Sequence, residues 1–380
     1  MADNEINIAS LTSYQVYPAK MGGQKGIALF YEYLSRLSPV TILCTPNNVP
    51  GEAPGSIKLV PLLGNSKLRY INPALFFSIK KYIRKNNITH LILEHPYYGW
   101  LGIMLKWFTP IKLIIHSHNI EALRFRSTGR WWWGILWHYE KLAHRKADLS
   151  FFIHDDDRNF AIDKFKLKPT RCVTITYGIE KDGPPAEAER QSAASAIRNS
   201  YGIDAGKKIL LFNGTLDYKP NRDALDIILE KINPLLLQSR SLQYAIIICG
   251  NRLPASYKEL VEYKTKNIIY AGFVDDISIF FKGADIFINP VTDGGGIKTK
   301  VVEALGYDLF VISTQSGATG IPGSVVGNKM KVIADGDWEA FAGLVAEVNT
   351  RELIPGAFFD RFYWGNIASK AFESIKQSAR

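Results

Sequence analysis

The chain has 380 residues, 47% hydrophobic and 22% charged, with 46 Lys and Arg against 36 Asp and Glu for a net charge of +10. This is the composition of a soluble globular protein long enough for two packed domains. It argues against a membrane-spanning chain, because the most apolar stretch (99–115) is broken by Lys106, Pro110 and Lys112, and against a signal peptide, because residues 1–10 carry Asp3 and Glu5 without a basic start.

In chain order, short apolar β-branched runs alternate with longer helical patterns. INIAS (6–10), VTILC (40–44), IKLVPL (57–62), HLILE (90–94), KLIIH (112–116), LSFFI (149–153) and CVTITY (172–177) read as strands. Helices are expected between them, including 26–37 and 73–85. Near-continuous apolar strands suit a parallel sheet covered on both faces, and strand–helix alternation gives an α/β, doubly wound Rossmann-like domain. The pattern stops in DGPPAEAERQSAASA, whose Pro, Ala, Ser and Glu content suggests an interdomain linker. It restarts with KILLFNG (208–214), YAIIICG (244–250), NIIYAG (267–272), DIFINP (285–290), FVIST (310–314) and MKVIA (330–334), a second Rossmann-like domain. Residues 363–377 read as a terminal helix. The expected division is therefore 1–180, a linker region at 181–206, a second domain at 207–362, and a final helix at 363–380 packing back towards the first domain.

The excess charge is confined to one half. Residues 1–180 hold 23 basic and 13 acidic residues, while the remaining 200 balance at 23 each. This asymmetry points to an anionic partner for the first domain, or to a solvated basic face. Cys44, Cys172 and Cys249 are far apart, with no CxxC or metal-ligand spacing, and fit buried residues in a reducing cytoplasm.

Open α/β sheets bind ligands at the carboxyl ends of their strands. One such end is NPVTDGGGIKTKVVEALG (289–306): a strand, then Gly294, Gly295 and Gly296, then a helix starting near Lys298. Glycines let the backbone approach a ligand, a helix start offers free N–H groups, and Lys298 and Lys300 add charge, which together suit a diphosphate. Glu303, further along that helix, is placed to accept hydrogen bonds from ribose hydroxyls. A second end is FNGTLDYKPNRDAL (212–225), where Lys219 lies in a loop after Gly214 and is available to a phosphate, and Asp217 and Asn221 shape the turn. A plain glycine turn and a solvated Glu are the bland alternative.

These two segments, with FVDDISIFFKGADIFINP and GATGI, resemble the donor domain of the family 4 (group 1) glycosyltransferases of the GT-B fold, in which two Rossmann-like domains face each other across a cleft. In the first half, YPAKMGGQKG (17–26) is similar to that family's glycine loop, and IIHSHNIEALRFR (114–126) to the segment carrying its active-site histidine. The resemblance implies a retaining transfer from a nucleotide-sugar, which is a substrate, with no cofactor and no metal. His118, Lys219 and Glu303 would be catalytic. Gly22, Gly23, Gly214, Thr215, Lys219, Asp293, Gly294, Gly295, Gly296, Ile297, Lys298 and Glu303 would hold the donor. His118 would orient the donor sugar. Two departures stand out. Gly295 occupies the position of the family's first glutamate, eight residues before Glu303, and Thr215 replaces its arginine, leaving more of the phosphate charge to Lys219. Asp155, Asp156 and Asp157 imitate a metal-binding DxD but read as a helix cap.

Arg124, Arg126 and Arg130 flank Trp131, Trp132 and Trp133, with Trp137 beyond, and Lys80, Lys81, Arg84 and Lys85 form a second basic stretch. Arg with Trp suits a membrane interface, so a cytoplasmic enzyme peripheral on the inner membrane face is expected, with a glycan or lipid-linked acceptor from envelope polysaccharide synthesis. Packing is the competing use of the tryptophans. A sugar-nucleotide epimerase of the same fold and a catalytically weak partner subunit are the alternatives. A nucleic-acid partner is not expected, since no such motif is present.

Overall fold

The computed structural model describes residues 6–19, 22–239, 241–348 and 352–379. The chain divides into two units, Met1–Gly178 with Trp364–Arg380, and Ile179–Tyr363. In the first, β1 (Ile8–Leu11), β2 (Val40–Leu43), β3 (Ile57–Val60), β4 (His90–Glu94), β5 (Lys112–Ser117), β6 (Leu149–Phe152) and β7 (Cys172–Thr174) form one parallel sheet in the order β3-β2-β1-β4-β5-β6-β7. In the second, β8 (Lys208–Asn213), β9 (Tyr244–Cys249), β10 (Ile268–Gly272), β11 (Ile286–Asn289), β12 (Phe310–Thr314) and β13 (Met330–Ile333) are ordered β10-β9-β8-β11-β12-β13, also parallel. Both are doubly wound, and their order reverses between β1 and β4 and between β8 and β11. At such a switch point the flanking loops part and leave a crevice at the strands' carboxyl ends.

Burial on both sheet faces explains why the strands read as unbroken apolar runs. On one face Leu91, Leu93, Leu113 and Ile115 pack with residues of α2 (Ala74–Lys85) and α3 (Gly99–Phe108). Ile92 and Ile114, on the other face, are equally buried. Each such side chain contributes roughly 1.5–3 kcal/mol. Gly102 lets α3 lie close on the sheet, since a Cβ there would meet Leu93 and Leu113 at 2.8 Å. In the second unit Leu210, Phe212, Ile246, Ile248, Ile286, Ile288, Phe310 and Ile312 form the corresponding core.

Three expectations are corrected. Helix α1 is Gly22–Ser35, not 26–37, so Gly22 and Gly23 lie in its first turn rather than in a loop. Residues 181–206 are not a linker but mostly structure of the second unit. There α7 (Glu187–Tyr201) buries Ala193 and Ile197, and the Glu189 carboxylate accepts from the Ala186 N–H (3.1 Å). Against it packs the helix Ile277–Gly283, in which a Cβ on Gly283 would lie 2.7 Å from the α7 backbone. Finally, α6 (Asp155–Lys164) is capped by His154, whose Nδ1 accepts from the Asp157 N–H (3.3 Å), while the three aspartates occupy its first turn. The last helix, Trp364–Ala379, packs on α1.

Candidate functional site

In the second unit, the segments after β8 and β11 meet at the switch point. Gly294 and Gly296 have φ of 92° and 73°, backbone that a side chain would strain. A Cβ on Gly294 would sit 3.4 Å from Pro220, at the start of α8 (Lys219–Ile227). The Lys300 ammonium donates to the Asn213 carbonyl at the end of β8 (3.1 Å) and to Asn221 Oδ1 (3.0 Å), and lies 4.3 Å from the Phe212 ring centroid. Asn221 in turn donates to the Thr215 carbonyl (3.1 Å). Lys298 turns back on the glycine loop, donating to the carbonyls of Gly294 (2.5 Å) and Gly296 (3.0 Å). Burial pushes Lys298 down to about 8 against the opposing Asp293, and burial with the neighbouring Lys298 pushes Lys300 down to about 7. Neither lysine has a carboxylate at salt-bridge distance among the described residues. Asp293 is exposed and accepts from the Gly294 N–H (2.6 Å). Ile297 and Glu303 are half-buried, Glu303 on the helix Thr299–Gly306.

Lys219 differs from its expectation. It is the first residue of α8, not a loop residue, and its exposed ammonium is ion-paired with Asp223. Arg252, after β9, pairs with Asp217 (2.9 Å) beside the same loop. Sequence reasoning treats Lys300 as one more helix charge and gives Arg252 no role. For Lys300 a usable signal exists: it is the second residue of the helix that succeeds the glycine loop, and the first turn of such a helix lies at the carboxyl ends of the strands.

In the first unit, the carboxyl ends of β4 and β5 carry a cluster of acids and imidazoles. Glu94 and His116 are register neighbours on these parallel strands, hence on the same face. Buried Glu94 accepts from Tyr31 of α1 (2.5 Å), lies 3.2 Å from His116 Nδ1, and its other oxygen is 2.6 Å from His118 Nε2. His95 lies against Glu121 (Nδ1 to Oε1, 3.0 Å) and Tyr14 (Nε2 to OH, 3.0 Å), and its ring stacks on His118 with centroids 4.6 Å apart. Glu121 begins α4 (Glu121–Ser127) and also accepts from Tyr97 (2.6 Å) and Arg124 (2.6 Å). Burial alone would raise these carboxyls. The adjacent imidazoles reverse that, leaving Glu94 well below its ordinary range and, with Arg124, bringing Glu121 to about 2. Buried Glu140 of α5 (Trp133–Lys146) accepts from the Glu121 and Ala122 N–H groups (3.0 Å each), which anchors α4.

Of the residues expected here, His118 lies inside the cluster, and Gly22 and Gly23 begin the helix that supplies Tyr31. Sequence reasoning misses Glu94, His95, His116 and Glu121 as site residues, although HLILEH and IIHSH end strands on either side of one pleat. The tryptophans divide. Trp137 packs with Phe160 and Phe165, Trp132 against Phe125, and Trp131 is 84% exposed. Arg124 is held by Glu121 and Tyr97, so it is not a free surface charge.

Two doubly wound parallel units, each with polar groups gathered at its switch point, are the two Rossmann-like domains of the GT-B fold. A family model described as Glycosyltransferase Family 4 matches residues 22–182, and one described as Glycosyl transferases group 1 matches residues 207–350. The chain belongs to this family. It is 28% identical over 117 residues to an uncharacterized 44.6 kDa protein in the cps region of Klebsiella pneumoniae, a match spanning 29% of this chain and only 30% of that relative. In fold it is similar to a glycosyltransferase from Rickettsia africae ESF-5 (TM-score 0.72, 15% identity, 99% of each chain). It is also similar to HepE of Anabaena, solved in complex with UDP (TM-score 0.71, 12% identity, 98% of this chain and 100% of that one).

Proposed function

We propose that this glycosyltransferase moves a hexosyl group, with retention and without a metal, from a nucleotide-sugar to a glycan or lipid-linked acceptor. The observation that carries the reading is the pair of lysines at the second switch point, Lys298 and Lys300, whose ammonium groups meet only neutral oxygens. A cation taken partly out of water without a counter-charge at salt-bridge distance favours an anionic ligand, and the helix start at Thr299 adds its dipole to the same place. As the leaving diphosphate gains charge, the lysines and loop N–H groups of residues 293–298 stabilise it without reorganising. Glu303 receives the ribose hydroxyls, and the acceptor hydroxyl attacks on the face the phosphate leaves, giving it its proton.

Metal independence is supported by the form of the first cluster. Glu94, His116 and His118 bring three ligand atoms within 4.8 Å of one another. A metal-bound imidazole ordinarily has a partner on its other nitrogen. His116 Nε2 is buried without one among the described residues, and its ring is flanked by Phe30 and Phe151. Protons suit this set better than a cation.

A cytoplasmic enzyme on the inner membrane face, working in envelope polysaccharide synthesis, fits the outer side of α2, α3 and α5. Phe77 on α2, Trp107 and Phe108 on α3, Ile135 on α5 and Trp131 just before it are exposed, and Lys80 lies over the Phe108 ring at 5.1 Å. Among the described residues no helix is long and apolar enough to cross a membrane, so contact would be interfacial. The relative in a cps region is in keeping with the acceptor class.

The test is nucleoside diphosphate release from UDP- and GDP-sugars, with and without EDTA, with the product anomer read by NMR. Turnover that survives EDTA and gives a retained anomer is expected. Loss in EDTA with recovery in manganese, or an inverted product, overturns the mechanism. Sedimentation with anionic vesicles tests the membrane reading: binding should fall with salt and in Arg126→Glu with Arg130→Glu, and a protein that ignores such vesicles at low salt belongs to a soluble acceptor.

A further inference from the structure

The cluster at the first switch point specifies more than the position of one histidine. Glu94 is fully buried, and both its oxygens are taken: one faces Tyr31 and His116, the other His118 Nε2. An ionised carboxylate can only accept hydrogen bonds. The atom of His118 that touches it therefore carries a proton, and in the neutral ring the other nitrogen, Nδ1, has a lone pair. No hydrogen bond to Nδ1 forms among the described residues, and the His118 side chain is 18% exposed although its Nε2 side is closed by Glu94.

The plane of the ring is held as well. His95 stacks on His118 with an interplanar angle of 27°. Its backbone sits at φ 66°, ψ 159°, a region that only glycine visits without strain. The strained turn is tied by the His95 N–H to the His116 carbonyl (3.0 Å) and by both ring nitrogens. Nδ1 donates to Glu121, and Nε2 accepts from Tyr14, whose phenol burial and nearby Glu94 keep protonated. Burial, then the neighbouring His118, lowers the His95 pKa, so the floor of the stack is a neutral imidazole. Strain of this kind persists where surrounding bonds over-determine it, and here its product is the orientation of one ring.

We infer that Glu94 is a positioning residue, with His95 as the stacked floor, holding His118 in one tautomer with Nε2–H donated inward and Nδ1 turned outward to accept a hydrogen bond from a sugar hydroxyl. The word sugar rests on the glycosyl-transfer reading above; the tautomer does not.

The test uses the full chain labelled with 15N at its seven histidines, with His118 assigned by its absence in His118→Gln. Two-bond proton–nitrogen correlations near pH 7.5 should show the Nε2–H tautomer for His118. In Glu94→Gln the amide can donate to the ring instead, so the tautomer should shift towards Nδ1–H. kcat should then fall about ten- to hundredfold, while the UDP or GDP thermal shift, which reports the second unit, stays put. If Glu94→Gln does not fold, Tyr31→Phe removes one of the groups that hold Glu94, and the wild-type spectrum decides the tautomer without any variant. An Nδ1–H tautomer in the wild type overturns the inference. So does a Glu94→Gln protein with unchanged tautomer and kcat, or stoichiometric zinc in the purified protein that is lost on that substitution. A wild type that turns over no donor, yet shows the inward Nε2–H reversed by Glu94→Gln, defeats the sugar reading and leaves the positioning role standing.

Discussion

The two switch points share a topology and have opposite electrostatics. In the first cluster the two carboxylates at the strand ends are held by side-chain donors: Glu94 by Tyr31 and His118, Glu121 by His95, Tyr97 and Arg124. Their oxygens are hydrogen-bonded before any ligand arrives, while His118 Nδ1 stays open among the described residues. In the second unit the cations Lys298 and Lys300 lean on carbonyl and amide oxygens. Neutral dipoles satisfy their N–H groups without cancelling their charge, so on the proposed reading this site is completed by an anion. On that reading one fold supports an oriented histidine cluster and an anion cradle, and the difference lies in the loops that leave the strands at each switch point.

The sharpest way to break this comparison is Lys300→Met, which keeps the stem and removes the charge. Nucleotide stabilisation should disappear, and kcat/KM for the donor should fall about a hundredfold, the upper range for a charge-assisted hydrogen bond. The melting temperature of the free protein should not fall, because a desolvated charge without a counter-ion is removed. Undiminished nucleotide binding in a thermal-shift titration would mean that the second cluster is no anion site.

The next effect, about tenfold, concerns pH. The ammonium form of a lysine attracts a diphosphate. Its free-state pKa is about 7 at Lys300 and about 8 at Lys298. Donor affinity should therefore be greatest below pH 7 and weaken as pH rises through 7 to 8, by about tenfold between pH 6 and 8 if one proton must be taken up. Glu121, at about 2, and Glu94, held lower than usual, stay ionised over that span, so the first cluster's carboxylates contribute no such slope. Calorimetry of donor binding, with Lys300→Met as the flat control, separates the two sites. A flat wild-type profile would contradict the cradle. Glu303→Ala should cost no more than this, about tenfold in donor KM, the lower range for a hydrogen bond to a charged group.

The sheets are legible in the sequence because a strand buried on both faces must be apolar throughout, which HLILE and YAIIIC declare. Helix α7 is not, because AEAERQSAASAIR has a linker's composition. Its signal is spacing rather than content: Ala193 and Ile197, four apart, are the residues it buries. The start of α1 is displaced because paired glycines suggest a loop, yet the first turn of a helix lacks internal N–H partners and tolerates them. At the sites, motif residues such as Gly294 and Glu303 are readable, whereas Glu94 and Lys300 owe their importance to neighbours brought in from other strands. Cross-strand register pairs Glu94 with His116, and the return of the β11 loop onto β8 pairs Lys300 with Asn213. Local sequence does not encode either contact.

The smallest effect sharpens the comparison most finely. On sequence grounds Lys219 carries the phosphate charge that Thr215 lacks. In the structure it is two-thirds exposed and paired with Asp223 one turn along α8, and that pair raises its pKa. A solvated i,i+4 pair is worth little and is screened by salt. Lys219→Ala should therefore change donor KM by about threefold at 0.15 M salt and somewhat more at low salt, with kcat preserved. Asp223→Ala, which frees the ammonium without removing it, should tighten the donor slightly. A hundredfold loss in Lys219→Ala would instead show that this side chain leaves Asp223 for the phosphates when the donor binds. The second site would then assemble its charge on binding, in contrast to the first, whose carboxylates are hydrogen-bonded in advance.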